Sequence, residues 1–189
     1  LFQVNNIAPD KQQYSSIATN ASGDFVVTWT GKDLIANKLT VYARLFEADG
    51  SPATKQFKLD QFDTEDQSFS DIALADDGTL VAVWQSRNQD ANSDGIYARL
   101  FDADGKPLGD EFLVNVSTPT LDEAAPSVSV DAAGNFVITW TTDGVDVYAR
   151  EFDALGNPVS ASDVAVANTA TDQYGAAVSM TGIGRYVVV

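Results

Sequence analysis

The sequence predicts an all-β fold of β-propeller-like repeats, with four short antiparallel strands in each unit of 51–56 residues. Three observations predict it. First, Gly23-Asp24-Phe25-Val26-Val27-Thr28-Trp29 returns as Gly78 to Trp84 and as Gly134 to Trp140, and begins again at Gly184 to Val189. The chain's three tryptophans therefore share one place in a repeat, 55 and 56 residues apart, and a period of this size marks a repeat architecture. Second, no stretch of ten or more residues shows helical periodicity, whereas short alternating runs recur throughout. Third, the Gly-to-Trp run is largely apolar on both faces, with Phe25, Val27 and Trp29 on one and Val26 and Thr28 on the other. Such a strand is covered from both sides, as in stacked propeller blades. The alternative is a tandem β-sandwich, but immunoglobulin-like sandwiches take about 100 residues and seven or more strands. Solenoid rungs are shorter than this repeat.

The elements of one unit follow in order. A short strand, Phe2-Gln3-Val4-Asn5, has copies at Phe57 to Asp60, Phe112 to Asn115 and, more loosely, Val164 to Ala167. A polar loop follows with a recurring amide or acid, Gln12, Gln67, Glu123 and Gln173, expected to anchor backbone between units. Five residues on lies a β-branched residue, Ile17, Ile72, Val128 or Val178, in a second strand. A turn closed by Gly23 or Gly134 leads into the Gly-to-Trp strand. After a loop of variable length comes Val41-Tyr42-Ala43-Arg44-Leu45-Phe46, with copies at Ile96 to Phe101 and Val147 to Phe152. Each copy runs into a Gly- and Pro-containing hairpin turn, such as Ala48-Asp49-Gly50-Ser51-Pro52. The chain divides as one array over residues 1–189, with units 2–56, 57–111 and 112–162 and a partial unit 163–189. One leading strand, three units of four and two trailing strands do not make whole blades, and a propeller must close to protect its edges. The expectation is a segment of a longer chain, with Trp following Val189 and the remainder of that chain as a packing partner.

Composition narrows the function classes. There are 27 acidic and 11 basic residues, a formal charge of −16, which disfavours nucleic acid and anionic membrane surfaces as partners. No apolar run approaches the roughly 20 residues of a membrane helix, so membrane insertion is not expected. The chain has no cysteine and no histidine. Disulfides, thiolate metal sites and Ser-His-Asp or Cys-His catalysis are thereby excluded.

The series G-x-F-V-V-T-W, then V-Y-A-R-x-F-D-A-x-G-x-P, then E-F-x-V-N resembles repeats of very large secreted or surface proteins of bacteria, the haemolysin-type calcium-binding or adhesin-like repeat proteins. The resemblance covers nearly the whole chain. It implies an extracellular or cell-surface location and an adhesive or assembling role, with an unknown protein or glycan as ligand. The family's segment after Tyr-Ala reads Gln-Arg-Phe, whereas here Arg44-Leu45-Phe46 moves the arginine to the other face. The glycine-rich nonapeptides that bind calcium in such proteins are absent, so calcium is not carried over with the resemblance.

Several constellations are candidates for chemistry. Asp90-Ala91-Asn92-Ser93-Asp94-Gly95 matches the first half of a calcium loop, with oxygen ligands Asp90, Asn92 and Asp94 at alternate positions before a glycine. The twelfth position, where a bidentate Glu belongs, is Phe101, so the bland alternative is a polar turn. Trp29, Trp84 and Trp140, with Tyr42, Tyr97 and Tyr148, are expected as repeat core and not as sugar platforms. Arg44, Arg99 and Arg150 are expected to lay their stems on neighbouring aromatics and to place their heads in ion pairs. Asp71 and Asp131 fall on the second strand, the usual lining of a propeller channel, and could form the carboxylate pair of a glycosidase. The units look too alike for one of them to have been turned into an active site. The sequence reading is therefore a non-enzymatic structural or binding module, serving adhesion or assembly through its loops. A carbohydrate-active propeller, lectin-like or glycosidase, is the alternative.

Overall fold

The computed structural model describes residues 2–6, 11–90, 93–117, 122–142, 146–167, 173 and 175–189. The described residues contain strands and turns and no helix. The first sheet consists of β1 (Gln13–Thr19), β2 (Phe25–Asp33), β3 (Lys38–Phe46) and β4 (Phe57–Lys58), paired in that order. The second repeats it with β5 (Gln67–Leu74), β6 (Leu80–Arg87), β7 (Asp94–Phe101) and β8 (Phe112–Leu113). The third holds β9 (Glu123–Val130), β10 (Phe136–Thr142), β11 (Asp146–Phe152) and β12 (Val164–Ala167), and β13 (Val178–Met180) pairs with β14 (Tyr186–Val188). All pairings are antiparallel. This is the β-propeller-like architecture the repeat predicts. The hydrogen-bonded sheets are offset from the sequence units by one strand, because Phe57–Lys58 pairs with β3 and not with the strands that follow it.

The sheets stack face to face, and the core lies between them. Val26, Val41, Ala43 and Leu45 of the first sheet pack with Leu80, Ala82, Trp84 and Phe101 of the second. The opposite face of the second sheet, with Val81, Val83, Ile96 and Ala98, packs with Phe136, Ile138, Trp140 and Phe152 of the third. Strand β6 is thus buried on both faces, which is why its alternation is apolar with apolar. Trp84 and Trp140 are fully buried and Trp29 is 4% exposed, so all three are core. Trp29 stacks on Tyr42 and Trp140 on Tyr148, with ring centroids 6.0 and 6.2 Å apart, and Trp84 pairs across the strands with Tyr97.

A repeated clamp joins neighbouring sheets at their outer edge. Nη1 of Arg99 donates to the carbonyl of Leu59, and Nη1 of Arg150 to that of Val114, each just after the last strand of the preceding sheet. Arg44 donates likewise to the carbonyl of Val4. The three guanidiniums lie 5.3–5.6 Å from the rings of Phe46, Phe101 and Phe152. The stems pack as expected, but the heads are satisfied mainly by backbone carbonyls; among the described residues a carboxylate, Asp163, stands only near Arg150, at 3.8 Å. Phe2–Asn5, expected as a strand, is irregular, yet its Phe2 ring meets Phe46 at 5.3 Å as Phe57 meets Phe101 at 5.7 Å.

Candidate functional site

The first strands of the sheets, β1, β5, β9 and β13, lie side by side. Hydrogen bonds at repeat-equivalent positions lace them together. Ser16 Oγ donates to Asp71 Oδ1 at 2.5 Å, and the Val128 amide donates to Asp71 Oδ2 at 3.0 Å. One strand further on, the Val178 and Met180 amides donate to Ser127 Oγ and Ser129 Oγ at 3.4 and 2.9 Å. Ser16, Asp71 and Ser127 occupy one place in the repeat, so the second sheet carries a carboxylate where its neighbours carry a hydroxyl.

Each of the three full inner strands is bulged near its start. The register slips between Gln13 and Ser16, between Ser68 and Asp71, and between the partners of Thr139 and Thr141. The extra residue takes a left-handed backbone: φ is 53° at Tyr14, 53° at Phe69 and 51° at Ala125, and the fourth member of the series is Gly175 at 65°. All four stand two residues after the recurring Gln12, Gln67, Glu123 and Gln173. Glycine accepts this conformation freely, whereas an aromatic L-residue is strained there. Bulges re-aim side chains, and strained backbone persists where the surroundings enforce it. Here the result is a pair of aromatic rings standing in solvent. Tyr14 and Phe69 are 45% and 38% exposed, with centroids 4.0 Å apart.

These rings border a cleft of about 330 Å³ between the inner strands, lined also by Ser15, Ser70, Asp71 and Ser127. The cleft combines an aromatic surface, several hydroxyls and one carboxylate held by two donors. Asp71 stands there as an anchored hydrogen-bond acceptor, suited to orienting a hydroxyl or a water. Asp131, expected beside it, is not part of this cleft. It follows β9 and is committed to its turn, where Oδ1 accepts from the Ala133 and Asn135 amides at 2.9 Å. The expected carboxylate pair is therefore not assembled.

The recurring Gln67 also differs from expectation. Its Oε1 accepts from Trp84 Nε1 at 3.1 Å and its Nε2 donates to the carbonyl of Glu65, so it anchors the indole of its own unit and the adjacent loop, not backbone of another unit. In the proposed calcium loop, Asn92 lies outside the described residues. Asp90 Oδ1 accepts from the Ser93 amide at 3.5 Å, and Asp94 Oδ2 accepts from Gln85 Nε2 at 2.6 Å. The first is a turn contact and the second a bond across strands β6 and β7. Among the described residues no group of three acidic side chains converges as a metal site would require.

A second departure concerns Asp60. Its Oδ1 accepts from the Val41 amide at 3.0 Å, as Asn115 Oδ1 accepts from the Ile96 amide at 2.7 Å in the next sheet. Burial pushes the Asp60 carboxyl up to about 6, and Lys58, at 3.5 Å, only partly opposes this. Burial likewise pushes the Tyr97 hydroxyl up to about 12.

No protein-family model matches the sequence, and a comparison with curated proteins gives no match either. Solved structures do share the fold. An α-L-arabinanase of Penicillium chrysogenum, complexed with arabinobiose, superposes with a TM-score of 0.61 at 12% identity, covering 91% of this chain and 55% of its own. A Hadza microbial sialidase gives 0.60 at 11% identity, covering 88% and 39%. A thermostable family-43 glycoside hydrolase gives 0.57 at 12% identity, covering 90% and 62%. This chain thus spans from about two fifths to three fifths of the length of these structures. At such identity the likeness is one of fold. It nevertheless corrects the expectation of a non-enzymatic adhesion or assembly module, because these three structures, which share the architecture, are carbohydrate-cleaving enzymes by name. The carbohydrate-active alternative is the one these likenesses favour.

Proposed function

We propose that this chain is part of a carbohydrate-active propeller that takes a glycoside in the cleft between its inner strands, the axial cleft of such a fold, and promotes its hydrolysis. The observation that carries the reading is the exposed Tyr14–Phe69 pair, set by strained bulges beside the carboxylate of Asp71. A sugar ring offers C–H groups to an aromatic face and hydroxyls to polar neighbours, and this cleft supplies both kinds of partner. Hydrolysis uses two carboxylates, one to protonate the leaving oxygen and one to activate water or attack the sugar. Asp71, held by two donors, suits the second role. It is the one carboxylate lining the cleft among the described residues, so hydrolysis there requires a proton donor that this lining does not itself supply. Glycosides of the kinds suggested by the names arabinanase and sialidase are the first to try.

The test is release of reducing sugar from a panel of polysaccharides and chromogenic glycosides, comparing the native chain with Asp71→Ser. Serine already occupies this place in the first and third sheets, so the variant keeps a residue the repeat accommodates. Turnover should fall by about 100-fold or more, on the scale of losing a positioned acid or base. Turnover unaffected by the substitution would remove Asp71 from the chemistry. Binding without turnover in the native chain would leave a lectin.

A further inference from the structure

The row of bulged positions is aromatic at one end and small at the other. Tyr14, Phe69, Ala125 and Gly175 hold one place of the repeat, on or just before strands that lie side by side, and all four line the axial cleft. Their backbones share the left-handed conformation, with φ of 51–65°, so what differs is the side chain that each one projects. Neighbours in this row touch when both are large, as the 4.0 Å between the Tyr14 and Phe69 centroids shows. Ala125 offers only a methyl group where a third ring would continue the stack. Gly175 offers no side chain, and among the described residues nothing beyond its chain neighbours lies within 4 Å of where a Cβ would stand. The cleft is therefore walled by rings on the side of the first two sheets and left open on the side of the next two.

Asp71 stands at the boundary between the two halves. It lies on β5, two residues after Phe69, and takes its hydrogen bonds from both sides, from Ser16 on β1 and from the Val128 amide on β9. A sugar ring on the aromatic pair and a second ring over Ala125 would meet above β5, the strand that carries this carboxylate. The second ring would find the hydroxyl of Ser127, which also lines the cleft, as a polar neighbour.

We propose that the cleft seats a linked pair of sugar residues, one on Tyr14 and Phe69 and the next over Ala125, and that Ala125 is the residue that admits the second. The substrate class is then a glycan of two or more residues, engaged at the linkage between the two seats, an inference that rests on the axial cleft being the sugar site. Calorimetric titration tests it with the methyl glycoside, disaccharide and trisaccharide of arabinose, of xylose and of glucose. In a series that binds, the disaccharide should bind about tenfold more tightly than the methyl glycoside, the worth of one or two further hydrogen bonds. Ala125→Tyr sets a third ring in the row, in a backbone conformation that Tyr14 already holds, and should erase that gain while leaving the methyl glycoside's affinity unchanged. Retained affinity for the methyl glycoside also shows that the variant is folded, and Ala125→Leu makes the same test if the tyrosine variant does not fold. Phe69→Gly should weaken both lengths alike. A disaccharide no tighter than its methyl glycoside, or a gain that survives substitution of Ala125, overturns the second seat and leaves the axial reading standing. Loss of the methyl glycoside together with the disaccharide, in a variant that melts as the native chain does, would put the first ring over Ala125 and overturn the assignment of seats. Failure of every probe to bind overturns both readings.

Discussion

At the scale of single residues, most chemistry-bearing side chains are tied to the stack of sheets, and departures from the repeat mark the exceptions. Asp60 is one. Asn115 makes the same bond in the next sheet without a charge, so the buried carboxylate of Asp60 is dispensable to that contact. Its carboxyl is raised from 3.8 to about 6, chiefly by burial. Between those values the folded chain holds a proton that the unfolded chain has lost, so this group's contribution to stability falls as pH rises through the window and is lost above it. Asp60→Asn should therefore leave stability near pH 4 little changed and raise it at pH 7, by up to about 3 kcal/mol from the size of the shift. Urea unfolding of both proteins at the two pH values measures this. Carboxyls held low by turn hydrogen bonds, such as Asp24, Asp49 and Asp153, drive the opposite trend in both proteins and cancel in the comparison. A variant less stable than the native chain at pH 7 would show that the Lys58 pairing outweighs burial.

At the scale of the element, the inner strand is where fold and function meet. A regular strand would send alternate side chains to the two faces of the sheet; the bulge breaks the alternation and turns Tyr14 and Phe69 into the cleft. The fourth unit supplies the comparison, since Gly175 takes the same backbone conformation without a side chain. Phe69→Gly should therefore cost little stability, because relief of strain offsets the lost ring contact, yet glycan affinity should fall about tenfold, in keeping with loss of an aromatic contact. Melting temperature and titration on the same sample decide it, and a large fall in melting temperature would mean that the ring serves the fold. This feature was only half legible in the sequence. The recurring Gln12, Gln67, Glu123 and Gln173 stood out because they are chemically alike. The residues two places on, Tyr14, Phe69, Ala125 and Gly175, share only a backbone conformation and no side-chain type, so similarity of letters does not find them. Likewise Asp131 reads as a channel residue by its place in the strand, but an Asx-type turn, set by local hydrogen bonds, claims it instead.

At the scale of the whole molecule, the architecture was legible because it is written many times over. Trp29, Trp84 and Trp140 fix the period, and the two apolar faces of β6 require a sheet on either side. Function was less legible, since it lies in what the repeats do not share. The first unit contributes a tyrosine, and the second a phenylalanine and an aspartate, each a single substitution on a common frame. Units that look alike over most of their length thus hide a site assembled from a few positions at the convergence of their inner strands. The most direct check is a crystal structure of the protein soaked with the oligosaccharide that binds best in titration. The ring should lie against Tyr14 and Phe69, with a hydroxyl within hydrogen-bond distance of Asp71, about 2.6–3.2 Å. A sugar bound only at the outer hairpins, with the axial cleft free of it, would contradict the assignment.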